Sequence, residues 1–350
     1  MVSRNANCTG EIMKLAELHE GGWDTTATQN TVITPGVVKS ALSVVQQFVN
    51  DFNAWLQPQG QGPVQMGRPT GSSAYHAQDT KDDPEKVYGD VDLQMIAPPV
   101  EGLTYGQFTS FWNRLADEFV KETSPAYVLS TASKPGHPIV AIGKDAFVQV
   151  DFMWHEPKLS TWGATRVTPE RGVKGLLTGN MWSVLGELLD MSIQHAGVQL
   201  KVIDGERVPF SKQKDTEVVT VTTSPQTFIL DTFRYLAKQQ GIEKPRMTPA
   251  LKTYGGVNIE QVSIESLVRG IKAFADSADA NSMFGQGDLK NFASGEDFLN
   301  KFWQRYQEKA MIDVQGKKRD KAQTPAAIAR AESDKQKILQ GLEKVQGYFR

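Results

Sequence analysis

Asp90-Val91-Asp92 lies in residues 87–97 (VYGDVDLQMIA), where Val91, Leu93 and Met95 alternate with Asp90, Asp92 and Gln94. That is the period of a half-buried strand. Successive strand residues point to opposite faces, so the two carboxylates share one face, about 6 to 7 Å apart along the chain, and can share a cation. A third acid, Asp151, sits in residues 146–154 (AFVQVDFMW), where Val148, Val150 and Phe152 alternate with Gln149, Asp151 and Met153. If the two strands pair with their apolar faces aligned, Asp151 joins the other acids. Hard oxygen ligands of this kind suit Mg2+ or Mn2+, which keep waters and substrate phosphates in their remaining positions. Upstream, Gly71-Ser72 follows Gly67-Arg68-Pro69-Thr70. Glycine permits close backbone approach, and backbone N–H groups at a helix start favour an anion.

These residues need a scaffold, and the apolar spacing supplies one. Residues 37–56 carry Val38, Leu42, Val45, Phe48, Phe52 and Trp55 at helical intervals, and 104–122 carry Phe108, Phe111, Trp112, Leu115 and Phe119 in the same way. Short apolar runs at 126–130 and 138–142 read as strands. Thr168-Pro169-Glu170 opens a helix over 173–193, with a capping hydroxyl, proline at the first helical position and an acid in the first turn. Strand-like pieces at 199–203 and 217–222 follow, then a helix from Ser224-Pro225 to Gln240 and helices at 259–275, 295–310 and 325–349. The expected architecture is α+β: an N-terminal arm (1–36), a mixed-sheet core with flanking helices (37–222) and a mainly helical C-terminal domain (223–350).

Gly71-Ser72, then Asp90-Val91-Asp92 on a strand, then Asp151 on a later strand resembles the pattern of the DNA polymerase beta-like nucleotidyltransferase superfamily, over about residues 37 to 195. The resemblance implies a nucleotidyltransferase-type sheet and transfer of a nucleotidyl group from a nucleoside triphosphate such as ATP to a hydroxyl. It implies that Gly71 and Ser72 hold the β- and γ-phosphates. Asp90 and Asp92 would bridge two Mg2+ (or Mn2+) ions, and Asp151 would bind the ion that activates the attacking hydroxyl. Basic side chains beyond the third acid are common in that family, which makes Arg171 and Lys174 nucleotide-binding candidates. Seventeen residues separate Ser72 from Asp90, and the polar stretch 78–85 reads as a surface insertion.

Other readings stand beside these. Alternating acids also occur on the wet face of an edge strand, although aspartate is poor in strands. A nucleotide-sugar glycosyltransferase fits Asp-x-Asp but leaves Asp151 and Gly71-Ser72 unexplained. A non-catalytic binding or assembly protein that keeps the fold is the third alternative. Arg171 and Lys174 read equally as solvated helix charges; His155, with the strand parity of Asp151, reads as a residue lining the site or as the end of a strand, and Tyr75 and His76 as base-stacking side chains or as loop residues packed locally. A net charge of -2 argues against coating nucleic acid by bulk charge, yet residues 301–350 hold 12 Lys+Arg against 6 Asp+Glu. That polarity, densest at Lys317, Lys318, Arg319 and Lys321, favours an RNA 3′ end as acceptor. One cysteine, no apolar run long enough for a bilayer and no apolar leader in residues 1–10 lead to the expectation of a cytoplasmic protein without a membrane partner.

Overall fold

The computed structural model describes residues 31–75, 88, 91–131, 136–160, 175–194, 197–210, 216–224, 227–254, 264–315 and 325–349. The chain divides into two compact units, Met1–Ser160 with Lys321–Ala327 and Thr161–Asp320 with Ile328–Arg350. The boundary expected at residue 222 falls inside the second unit.

In the first unit, helix α1 (Pro35–Leu56) starts at the Thr34 cap with proline in its first turn, and strand β1 (Gln65–Thr70) follows. Strand β2 (Val91–Ile96) leads to α2 (Tyr105–Thr123), which opens on a capping box of Thr104 and Gln107. Strands β3 (Val128–Thr131), β4 (Pro138–Gly143) and β5 (Ala146–His155) complete a five-stranded sheet in the order β1-β2-β5-β4-β3. Only the central pair, β2 with β5, is parallel, so the chain must cross over between them.

One face of this sheet is apolar. Val91, Leu93 and Met95 of β2 and Val148, Val150, Phe152 and Trp154 of β5 are buried with α1 and α2 residues in a single core. Aromatic rings lock it. Phe48 of α1 meets Phe119 and Phe152 edge-on at 5.1 and 5.4 Å, and Trp112 of α2 stacks on Trp154 at 5.7 Å. Burial of each such side chain contributes about 1.5 to 3 kcal/mol, so the two central strands are held rigidly from beneath.

The second unit contains α3 (Gly175–Leu189), a four-stranded antiparallel sheet of β6 (Ser192–Gln194), β7 (Gly197–Ile203), β8 (Glu206–Val208) and β9 (Glu217–Thr222), and the helices α4 (Phe228–Gln239), α5 (Pro249–Tyr254), α6 (Ile264–Ala275), α7 (Ala278–Met283), α8 (Gly295–Gln315) and α9 (Pro325–Phe349). The helices surround a core that includes Trp182, Phe233, Phe274, Phe298 and Phe302. The helix expected to run to residue 193 stops at Leu189. Asp190 takes a left-handed conformation (φ 51°), which aspartate tolerates better than most residues, and the chain turns into β6. Mixed α and β content is thus observed, and the small sheet of the second unit contains the strand-like pieces expected at 199–203 and 217–222. No helix among the described residues is long and apolar enough to cross a membrane.

Candidate functional site

The face of the first sheet opposite the aromatic core carries the polar residues of β2 and β5. Their parallel register puts Asp92 beside Asp151, and Val91 and Leu93 beside Val150 and Phe152. The apolar faces are aligned, so both carboxylates stand on one side of the sheet, on strands about 4.8 Å apart. Across the antiparallel pair β1–β2, Thr70 is the partner of Asp92. Directly opposite residues share a face. Extending the β4–β5 pairing of Ile139 with Gln149 by two residues sets His137 opposite Asp151. A polar row therefore crosses three strands and the entry to β4: Thr70, Asp92, Asp151, His137.

Local contacts tie this row together. Gly71 has φ 59° and begins a short 3-10 turn, Gly71–Tyr75. A Cβ built on Gly71 would collide with Asp92 Oδ2. Only glycine lets the chain turn there with a carboxylate against its backbone. Ser73 Oγ donates to Thr70 O at 2.8 Å and braces the turn from inside. A helix start was expected after Gly71; the element is a single five-residue turn, too short to build up an axial dipole, so only its backbone groups can serve an anion.

On the other flank, Gln149 Nε2 donates to Asp151 Oδ1 at 2.6 Å. His137 Nδ1 lies 3.2 Å from the same oxygen, close enough for an ion pair without being aligned for a hydrogen bond. Both side chains are shielded, 16% exposed for His137 and 23% for Asp151. Three buried polar atoms on this row and beside it have no hydrogen-bond partner: Thr70 Oγ1, Gln149 Oε1 and His137 Nδ1.

No protein-family model, curated protein or solved structure matches this chain.

Of the residues expected at a site, Gly71, Asp92 and Asp151 come together. Asp90, Arg171, Lys174 and the Ser72 side chain lie outside the described residues, as do His76 and the Tyr75 side chain. Among the described residues no set of three or more His, Cys, Asp and Glu forms a metal-holding cluster. His155 ends β5: it is 2% exposed, with Nδ1 2.8 Å from Met153 O and its ring 6.1 Å from Tyr105. Burial pushes its imidazole below the ordinary range, against the opposing pull of that backbone contact.

Thr70, His137 and Gln149 were not among the expected site residues. Gln149 has the strand parity of Asp151 and was within reach of the two-residue period. His137 needs the β4–β5 register, and Thr70 needs the recognition of β1.

Proposed function

We propose that the chain is a metal-dependent nucleotidyltransferase, moving a nucleotidyl group from a nucleoside triphosphate to a hydroxyl acceptor. The observation that supports this best is the Gly71 turn lying against the Asp92 carboxylate while Asp151 stands in register on the next strand. A glycine turn that brings backbone groups up to paired carboxylates on one sheet face supplies parts that phosphoryl transfer needs in one place.

The side chains present fit divalent ions. Asp92 and Asp151 are hard oxygen donors on adjacent strands, and the buried Thr70 Oγ1 and Gln149 Oε1 near them lack hydrogen-bond partners, as atoms that ordered water or a ligand normally satisfies do. Asp92 and Asp151, with Asp90, would hold the ions. When bound, two divalent ions stabilise the attacking and leaving oxygens of an in-line displacement. The chain's own residues do the positioning. Gly71 admits the Asp92 carboxylate, Gln149 fixes the orientation of Asp151 through Oδ1, and the Trp112–Trp154 stack holds β5 from the opposite face.

The basic segment around Lys317, Lys318, Arg319 and Lys321, outside the described residues, favours an RNA 3′ end as acceptor by its charge. A glycosyltransferase assigns no role to the Gly71 turn. The test is incubation with each labelled triphosphate, Mg2+ or Mn2+ and a mixture of RNA, protein and small hydroxyl acceptors. Divalent-ion-dependent covalent label supports the proposal and its carrier names the acceptor. Triphosphate binding with no transfer to any acceptor points to the non-catalytic alternative, and transfer from a nucleotide sugar to the glycosyltransferase.

A further inference from the structure

Thr70 carries a hydroxyl that the fold does not use. The residue is 2% exposed, and its Oγ1 has no hydrogen-bond partner. A buried hydroxyl left unsatisfied is destabilising, and valine has nearly the same shape and an equal preference for strands. Packing alone would therefore favour valine at this position. The backbone around it is already provided for, since Ser73 Oγ donates to Thr70 O and Thr70 pairs with Asp92 across β1–β2.

The position of the hydroxyl narrows what it can meet. It lies one residue before Gly71, on the face of Asp92, at the end of the polar row opposite His137. A hydroxyl offers one rotatable donor, and the neighbouring turn offers backbone N–H groups. At the far end of the row, Gln149 Nε2 is taken by Asp151 and the free amide atom is the acceptor Oε1. The Thr70–Gly71 end therefore offers donors beside the Asp92 carboxylate, and a phosphate oxygen can meet them there when divalent ions offset that charge.

We propose that Thr70 Oγ1 donates a hydrogen bond to a phosphate oxygen of an ion-chelated polyphosphate, making it a specificity residue for the triphosphate. This rests on the nucleotidyltransferase reading.

The test uses the full chain, inorganic tripolyphosphate with Mg2+ as probe and isothermal titration calorimetry, alongside the melting temperature without ligand. Thr70→Val is expected to bind tripolyphosphate about tenfold more weakly, a loss of about 1.4 kcal/mol, while its ligand-free melting temperature stays level or rises. Thr70→Ser, which keeps the hydroxyl, should restore most of the affinity. If Thr70→Val also melts lower, the serine variant decides: restored affinity supports the contact, and affinity as weak as that of the valine variant overturns it. Parental affinity in Thr70→Val overturns the Thr70 contact and leaves the nucleotidyltransferase reading standing. A parent chain that binds no tripolyphosphate with Mg2+ overturns both.

Discussion

Replacing Gly71 with alanine separates the cost to the fold from the cost to the site. The residue sits at φ 59°, a conformation that costs a residue bearing a Cβ about 1 to 2 kcal/mol. In a unit of this size that lowers the melting temperature by only about 2 to 8 °C. The site should suffer more. The added Cβ would fall inside 3.0 Å of Asp92 Oδ2 and 3.4 Å from its Cγ, so the carboxylate has to move by about 1 Å to regain ordinary contact. A misplacement of about 1 Å at a reacting centre costs about a hundredfold in rate. The expected result is a folded variant whose divalent-ion-dependent turnover falls about a hundredfold. The same change made in an Asp92→Asn background should add much less, because the carboxylate it displaces is already gone and the two effects overlap. Turnover in Gly71→Ala equal to the parent's, or losses that simply multiply in the double variant, would refute the coupling of this turn to the acid.

Asp92→Asn and Asp151→Asn should each abolish divalent-ion-dependent turnover while leaving the metal-free melting temperature level or slightly higher, since each removes one of two like charges on one face; surviving turnover in both variants would dismiss the carboxylates as the ion site. Gln149→Leu removes the 2.6 Å hydrogen bond to Asp151, worth about 1.5 to 3 kcal/mol for a charged acceptor, so turnover should drop about ten- to a hundredfold and the Mn2+ half-saturation should rise, read by electron paramagnetic resonance of free Mn2+. Gly136→Ala, at φ 80° with its Cβ 2.7 Å from Asn113 Cα, should destabilise the first unit by about 2 to 4 kcal/mol in urea melts. His155 has a folded-state pKa below its unfolded value of about 6.5, so the unfolded chain binds the extra proton; stability is full above that value and is lost as pH falls below it. The melting temperature should fall between about pH 7.5 and about pH 5.5, and His155→Gln should flatten that fall; an unchanged slope would show that other groups set it.

Much of the first unit is written plainly in the chain because its two central strands obey the two-residue period on both faces. Val91, Leu93 and Met95 against Val148, Val150 and Phe152 fix which side is inside, and that alone places Asp92 and Asp151 together once the strands pair. Strand β1 was hidden by Gly67 and Pro69, both poor strand formers; proline is tolerated because β1 is the edge of the sheet. His137 could not be reached from local pattern, since its closeness to Asp151 follows from how the β4–β5 hairpin closes. In the second unit, β7 and β9 were legible from their apolar stretches, whereas β6 and β8 are three residues each, too short for any period to show.

The parallel pairing of β2 with β5 also governs when the site comes into being. All of α2, β3 and β4 lie between Asp92 and Asp151 along the chain. A nascent chain that has emerged only through α2 carries Asp92 on a strand with no β5 beside it. Closing so long a loop is entropically costly and comes late relative to local helix formation. Partly folded chains therefore lack the paired carboxylates, and under the proposed function capture of a divalent ion would mark finished folding. Under that reading, added Mg2+ is expected to slow hydrogen exchange at the amides shared by β2 and β5.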